Sequence, residues 1–291
     1  MSEIALEVVN LRKTFAVRGE HARRGAGSGL LGRRAREVPR EVVAVDDVSF
    51  EVAPGRSLAI VGESGSGKTT VARMIVGLER PTSGTILVAG RERTGRVGSR
   101  ERRRRAREVQ IVFQDPYSSL DPRQSIRDCL DEVLQLHFDQ DAPARTRRID
   151  QLLDQVGLAA RHADALPRAL SGGQRQRVAI ARALACEPRV LICDEAVASL
   201  DVSIQAQVLN LLSDIREQTG VSYLFISHDL AVVRQVSDDV IVMRHGRVVE
   251  TGSTEQVLAA PVDPYTARLI AAIPREGWRP TSRRDEADED V

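Results

Sequence analysis

The run Gly62-Glu63-Ser64-Gly65-Ser66-Gly67-Lys68-Thr69-Thr70 has the spacing G-x-x-x-x-G-K-[ST], and the chemistry of that spacing is phosphate binding. Glycines let backbone N–H groups turn inward around phosphate oxygens, and the start of a following helix adds the favourable end of its dipole. Lys68 then offers a cation to the β and γ phosphates, and the Thr69 hydroxyl offers a ligand to Mg2+. At this chain's own Gly, Lys and Ser+Thr frequencies, such a run arises by chance about once in a thousand cases. Lys13 and Lys68 are the only lysines among 42 Lys and Arg residues, so the persistence of Lys68 singles out its position.

Two further runs carry chemistry. Val190-Leu191-Ile192-Cys193 is an apolar strand that ends in the adjacent carboxylates Asp194 and Glu195. Two acids at the end of a buried strand make sense where they meet a cation or a reacting water. Asp194 is the candidate Mg2+ carboxylate, acting through water, and Glu195 the candidate general base. Leu170-Ser171-Gly172-Gly173-Gln174 places an N-cap serine before two glycines that expose N–H groups at the start of a helix over 172–185. It is a second anion-binding helix terminus in a chain with one phosphate loop.

Hydrophobic periodicity predicts the elements that must hold these groups. Residues 4–15 alternate as an opening strand, and Val42–Val45 and Val48–Val52 read as paired strands. Ser57–Val61 is a short buried strand feeding the glycine loop, a helix follows over about 69–77, and Pro81–Gly84 is a turn. Val109–Phe113 is a strand leading to Gln114; 118–186 turns helical; strands at 189–193, 222–226 and 239–243 alternate with helices at 203–218 and 229–236, and 244–247 turns into a final hairpin strand. That alternation, interrupted by an all-helical block, predicts one nucleotide-binding α/β core with a helical subdomain inserted. Residues 18–41 hold seven Arg and three Glu without periodicity, as expected of a flexible insertion, and the polar stretch after Pro274 is expected to be disordered. The nine arginines of 91–107 read as a solvated helix face or loop rather than a nucleic-acid surface.

Composition closes off other classes. Lys and Arg number 42 against 41 Asp and Glu, for a net charge of +1, so no polyelectrolyte character argues for nucleic acid. Cys129, Cys186 and Cys193 are too few and too scattered for a disulfide framework or a metal cluster, which points to a reducing compartment. The opening MSEIALEVVN lacks a signal-peptide pattern, and no apolar run reaches the roughly 18 residues of a membrane span.

With Leu-Ser-Gly-Gly-Gln beside the phosphate loop, the chain resembles the ATP-binding subunits of the ABC transporter family over about residues 4–274. The resemblance implies an α/β P-loop NTPase: a RecA-like core sheet with an antiparallel β subdomain and an inserted helical subdomain. It places the ATPase domain at 1–252, the helical subdomain at about 116–187, and a C-terminal extension at 253–274. It also implies roles for individual residues. Ser171, Gly172, Gly173 and Gln174 would clamp the γ-phosphate of ATP held by another subunit, and Asp201, in Ser199-Leu200-Asp201, would cross that interface. Gln114 would touch Mg2+ and water, His228 would hydrogen-bond the γ-phosphate, and Phe15 would stack on adenine. Glu195 is followed by Ala196 where the family commonly has proline.

Within the family, Gln114–Arg123, Asp201–Leu209 and Asp263–Leu269 resemble the dipeptide and oligopeptide uptake branch, and the long insertion between Phe15 and Val45 resembles the second of that branch's two ATPase subunits. That branch implies ATP and Mg2+ as cofactors, with permease subunits, a different second ATPase and a solute-binding protein as partners. It also implies a peripheral place on the cytoplasmic side of the inner membrane. Some members carry an iron–sulfur cluster on tail cysteines, and this tail has none. Relatives that move nickel, glutathione or other solutes leave the cargo open. A GTPase would need an Asn-Lys-x-Asp guanine reader, which is missing, and ABC ATPases of DNA repair or translation carry coiled-coil or zinc insertions or paired ATPase units that do not appear.

Overall fold

The parallel strands carry near-continuous apolar runs such as Leu58–Val61, Val190–Cys193 and Val240–Met243, as strands covered on both faces do. In the computed structural model, which describes residues 4–17, 40–117 and 119–272, they form the centre of the molecule. The expected insertion at 18–41 lies outside the described residues except for Arg40 and Glu41, and the tail after Pro274 lies outside them entirely.

In chain order the elements begin with β1 (Leu6–Val17), β2 (Arg40–Val52), β3 (Ser57–Val61), α1 (Lys68–Val76), β4 (Ser83–Val88) and β5 (Arg91–Glu92). Next come α2 (Ser99–Glu108), β6 (Val109–Val112), α3 (Ile126–His137), α4 (Ala142–Gln155), α5 (Gly172–Leu184), β7 (Val190–Asp194) and α6 (Val202–Thr219). The chain continues through β8 (Ser222–Ser227), α7 (Leu230–Val236), β9 (Asp239–Arg244), β10 (Arg247–Ser253), α8 (Thr254–Ala259) and α9 (Pro264–Ala271). Among the described residues these strands make two sheets. An antiparallel one has the order β2-β1-β4-β5, and a core sheet has the order β10-β9-β3-β8-β7-β6. In the core sheet β6, β7, β8, β3 and β9 run parallel, and β10 closes the edge antiparallel to β9.

Alternation along each core strand divides its side chains between two hydrophobic clusters. Ala59, Val61, Leu191, Cys193, Tyr223 and Phe225 face the cluster that includes the helical block, with Leu130, Leu152 and Val178. Leu58, Ile60, Val190, Ile192, Leu224 and Ile226 face the other, with α1 residues Val71 and Ile75 and antiparallel-sheet residues Leu6 and Ile86. The core sheet is therefore clamped from both sides, and the loops at its strand ends are fixed in register.

One expectation is corrected. Val42–Val45 and Val48–Val52 are not two strands paired with each other; they are halves of β2, which pairs along β1 from Leu6 opposite Val52 to Val17 opposite Arg40. Asp46-Asp47 makes a bulge instead of a turn. Asn10 and Asp47 both take positive φ (48° and 58°), Asn10 Nδ2 donates to Asp47 Oδ1 at 2.7 Å, and the Asn10 N–H donates to Ser49 Oγ at 2.8 Å. The arginine-rich stretch becomes α2, a helix with no buried residue, where Glu101 pairs with Arg104 and Arg105 and Glu108 pairs with Arg93 and Arg104.

Tyr223 ties β8 to α6: it is 1% exposed, and its hydroxyl donates to the Leu212 carbonyl at 3.0 Å. Tyr223→Phe is expected to lower unfolding stability by about 1 kcal/mol, measured as a shift in the denaturant midpoint at constant slope.

Candidate functional site

Four of the groups assigned to chemistry lie just past the carboxyl ends of parallel strands. In an open α/β sheet that edge collects ligands, because there the helix N-termini and the loops converge. Beyond β3 runs the glycine loop, beyond β7 Glu195, beyond β8 His228 and beyond β6 Gln114.

The loop is held from several sides. The Gly246 N–H, in the β9–β10 turn, donates to the Ser66 carbonyl at 3.0 Å, and the Ser66 N–H donates to the Glu63 carbonyl at 3.2 Å. Gly67 has φ 103°, and a Cβ there would lie 2.4 Å from the Ala44 carbonyl oxygen, so glycine is required. Gly67 caps α1 without any side-chain hydrogen bond, and this leaves the first N–H groups of the helix for an anion. Lys68 is 5% exposed and folds back on the loop: its Nζ donates to the carbonyls of Gly62 (2.7 Å) and Glu63 (2.8 Å) and lies 3.4 Å from Ser66 Oγ. Burial lowers its pKa, while Glu195, Asp194 and Glu63 pull it back up. Glu63, Ser64 and Gly65 are exposed, and Thr69 and Thr70 are half-buried.

Asp194 is 6% exposed, and its Oδ1 accepts from the Thr69 hydroxyl at 3.3 Å. Burial raises its pKa, the Thr69 hydrogen bond opposes that, and the neighbouring Glu195 charge adds to it. Glu195 has φ 50°, a left-handed backbone that costs a non-glycine residue on the order of 1–3 kcal/mol. It is held there by its own N–H donating to the Ile226 carbonyl at 2.9 Å and by its carbonyl accepting the Ala198 N–H at 3.0 Å, with Ala196 buried beneath. That backbone brings Glu195 Oε1 within 3.0 Å of His228 Nδ1. The two line the polar end of a cleft of about 80 Å³ with Gln205, Ser227 and Asp229, while Leu209, Leu212, Phe225 and Val232 form its apolar wall.

Gln114 is exposed, and its carbonyl accepts the Ser199 hydroxyl at 3.2 Å, linking the β6 and β7 loops. The Leu-Ser-Gly-Gly-Gln segment forms a full capping box. The Gln174 N–H donates to Ser171 Oγ (3.3 Å), and the Ser171 N–H donates to Gln174 Oε1 (2.9 Å). Gly172 lies against Leu200, and a Cβ on Gly173 would meet Ile204 at 2.5 Å, so the motif packs on α6. Asp201 stands at the N-cap of α6, exposed and without a side-chain capping bond. Phe15 is 37% exposed on β1, with the Lys13 ammonium 4.7 Å from its ring centroid.

One partner escaped sequence reasoning. The Glu63 N–H donates to the hydroxyl of Tyr265 at 3.1 Å, across 202 positions of sequence. The aromatic in Asp263-Pro264-Tyr265 signalled a branch of the family and not a contact with the loop.

The raised pKa of Asp194 has a signed consequence. A carboxyl that binds its proton more tightly folded than unfolded costs stability as pH rises through its unfolded value of about 3.9 toward the folded one. Asp194→Asn is therefore expected to raise the melting temperature of the nucleotide-free chain at pH 7. The gain should vanish below about pH 4, where Asp194 is protonated in both states; thermal unfolding across pH checks both ends.

Comparison with known proteins meets this geometry. A family model described as ABC transporter matches residues 45–198. The chain is 48% identical over 234 residues to the di/tripeptide transport ATP-binding protein DppF of Pseudomonas aeruginosa, covering 80% of this chain and 72% of that one. It is 44% identical over 280 residues to the dipeptide transport ATP-binding protein DppF of Haemophilus influenzae, covering 96% and 80%. Against the glutathione import ATP-binding protein GsiA of Shigella dysenteriae the identity is 46% over 272 residues, covering 94% of this chain and 41% of that one. Among solved structures, cbiO1 of Clostridium perfringens, part of the ABC transporter complex cbiONQ, superimposes with a TM-score of 0.72 at 26% identity, over 89% of this chain and 92% of that one. A dimeric post-hydrolysis state of the ATP-binding cassette MJ0796, bound to ADP and Pi, gives 0.68 at 27% identity, over 86% and 98%. A phosphate loop, an acid pair and a signature helix on a sheet of this topology, with relatives of this closeness, have one reading: the chain belongs to the ABC transporter family, whose ATP-binding subunits hydrolyse ATP to drive transport.

Proposed function

We propose that this chain powers the import of dipeptides and oligopeptides, as an ATPase peripheral to the cytoplasmic face of the inner membrane. The observation that carries the hydrolytic part is the Glu195–His228 pair, 3.0 Å apart at the polar end of that cleft, on the sheet edge that also presents Lys68. The cargo rests on the relatives named for dipeptide and di/tripeptide transport. A second reading, import of glutathione, is favoured by the GsiA relative.

The residues present fit ATP and Mg2+. The uncapped start of α1, the inward ammonium of Lys68 and the hydroxyls of Ser64, Ser66, Thr69 and Thr70 suit a triphosphate. Asp194 and Thr69 make an all-oxygen donor pair whose carboxylate charge is disfavoured by burial, which suits Mg2+; Gln114 would complete it. When bound, Mg2+ would supply charge neutralisation on the phosphate oxygens. Lys68 leaves the loop carbonyls for the phosphates, Glu195 accepts the proton of the attacking water, and His228 orients it and hydrogen-bonds the γ-phosphate. Phe15 offers its exposed ring to adenine.

The site is completed by another chain. Ser171, Gly172, Gly173 and Gln174 present the N-terminus of α5 to ATP on a facing subunit, and the unpaired capping position of Asp201 lies along the same boundary. We assign that partner as a second, different ATPase, paired head to tail beneath two permease subunits, with a solute-binding protein delivering cargo and no nucleic acid involved. We assign this chain's attachment to the permease; among the described residues no helix is long and apolar enough to cross a membrane.

Lys68→Ala is expected to weaken ATP binding, and Glu195→Gln to bind ATP normally while hydrolysing on the order of 10²–10⁴-fold more slowly. Equilibrium binding and steady-state phosphate release separate the two, and near-normal turnover by Glu195→Gln would sink the assignment. In the assembled transporter, Glu195→Gln should silence the nucleotide on this chain's own loop, whereas Ser171→Arg should silence the one on the partner's loop. Site-resolved nucleotide crosslinking distinguishes these outcomes, and loss of the same nucleotide in both variants contradicts the shared site. Uptake of labelled dipeptide by reconstituted transporter tests the cargo.

A further inference from the structure

The glycine loop is gripped from outside by the C-terminal extension, a segment beyond the residues matched by the family model. The Gly62–Glu63 peptide is the pivot. Its carbonyl, on Gly62, accepts Lys68 Nζ at 2.7 Å, while the Glu63 carbonyl of the next peptide accepts Lys68 Nζ at 2.8 Å and the Ser66 N–H at 3.2 Å. Its N–H, on Glu63, donates to the Tyr265 hydroxyl at 3.1 Å. Tyr265 is 4% exposed, and the Arg244 guanidinium lies 4.9 Å from its ring centroid. Arg244 ends β9, the strand beside β3, so the ring is wedged between the edge of the core sheet and the loop that β3 feeds.

The segment carrying Tyr265 is itself pinned. Glu250 on β10 accepts the N–H groups of Val262 (2.8 Å) and Asp263 (3.1 Å), and Asp263 Oδ1 accepts the Tyr265 N–H (2.8 Å) at the start of α9. From Glu250 to Glu63 the hydrogen bonds form one connected path.

We propose that Tyr265 is a positioning residue for nucleotide binding, acting through the Gly62–Glu63 peptide. The inference rests on the reading of Gly62–Thr70 as the ATP site. When Lys68 turns toward phosphate, the Gly62 carbonyl loses its ammonium, and the Tyr265 hydroxyl on the N–H of that same peptide becomes the contact that keeps it from rotating and closing the loop. Tyr265 touches no reacting atom; it sets how much of the binding energy is lost to ordering the loop.

Tyr265→Phe tests this in the full chain, because the ring and its packing under Arg244 remain. One hydrogen bond corresponds to about 3- to 10-fold in affinity, so ATP binding should weaken by that factor. In the assembled transporter KM for ATP should rise by the same factor while kcat stays within about twofold. Glu250→Ala, which frees the backbone of the segment, should shift KM in the same direction. An unchanged KM in Tyr265→Phe, or a fall in kcat as large as the rise in KM, overturns the proposal. Wild type and Lys68→Ala run alongside. If wild type does not bind ATP, or Lys68→Ala binds it as well as wild type does, the assignment of the loop itself fails. If both behave and Tyr265→Phe matches wild type, only the role of Tyr265 falls.

Discussion

A buried ammonium has to be met by oxygen, and in this chain the oxygens come from the ammonium's own loop. Lys68, with 5% of its surface exposed, satisfies itself on the carbonyls of Gly62 and Glu63. An unpaired cation in that position would cost several kcal/mol. The carbonyls are neutral dipoles, weaker partners for a cation than phosphate oxygens. Across the sheet edge Asp194 is in the mirror situation: a carboxylate driven toward its neutral form by burial, opposed by the Thr69 hydroxyl and by the charges of Arg73 and Lys68. Burial penalises both charges, and a metal–triphosphate complex would satisfy both together. Much of the surrounding architecture keeps these two groups from relaxing away from each other.

That architecture is the clamped parallel sheet. Because alternate residues of β3, β7 and β8 belong to opposite hydrophobic clusters, a shift of one strand by one residue would place each of its side chains on the wrong face. The strand ends are thus fixed, and with them Lys68, Asp194, Glu195 and His228. Glu195 shows how firmly: its positive φ is tolerated because the Ile226 carbonyl on β8 takes its N–H and the following turn closes beneath it. The family commonly has proline after this glutamate. With Ala196 in that place, the turn is held by hydrogen bonds and by burial of Ala196 and Val197.

Local chemistry was legible in the sequence and distant contacts were not. The strand Ser57–Val61 and the helix after Lys68 follow from a short apolar run and a glycine-rich cap, both local signals. The same holds for Ser171 as an N-cap, although the reciprocal bond from Gln174 that completes its box depends on a rotamer. The bulge at Asn10 and Asp47 is not legible locally, because two short apolar runs broken by Asp46-Asp47 read as two strands. Only pairing with β1 reveals that both residues sit left-handed and bond each other. The Tyr265–Glu63 contact was beyond reach because neither residue type announces a partner two hundred positions away. Glu195 was chosen for its carboxylate, while its backbone strain depends on β8, which sequence periodicity places in the sheet without fixing its neighbour.

The most direct measurement is the position of Lys68 Nζ in an experimental structure of the Glu195→Gln chain with ATP and Mg2+. Nζ is expected to have left the Gly62 and Glu63 carbonyls and to lie within hydrogen-bond distance of phosphate oxygens, with the Asp194–Thr69 pair facing the metal. Nucleotide bound with Nζ still seated on both carbonyls, or bound away from this sheet edge, would contradict the view that the loop carbonyls hold the place of phosphate.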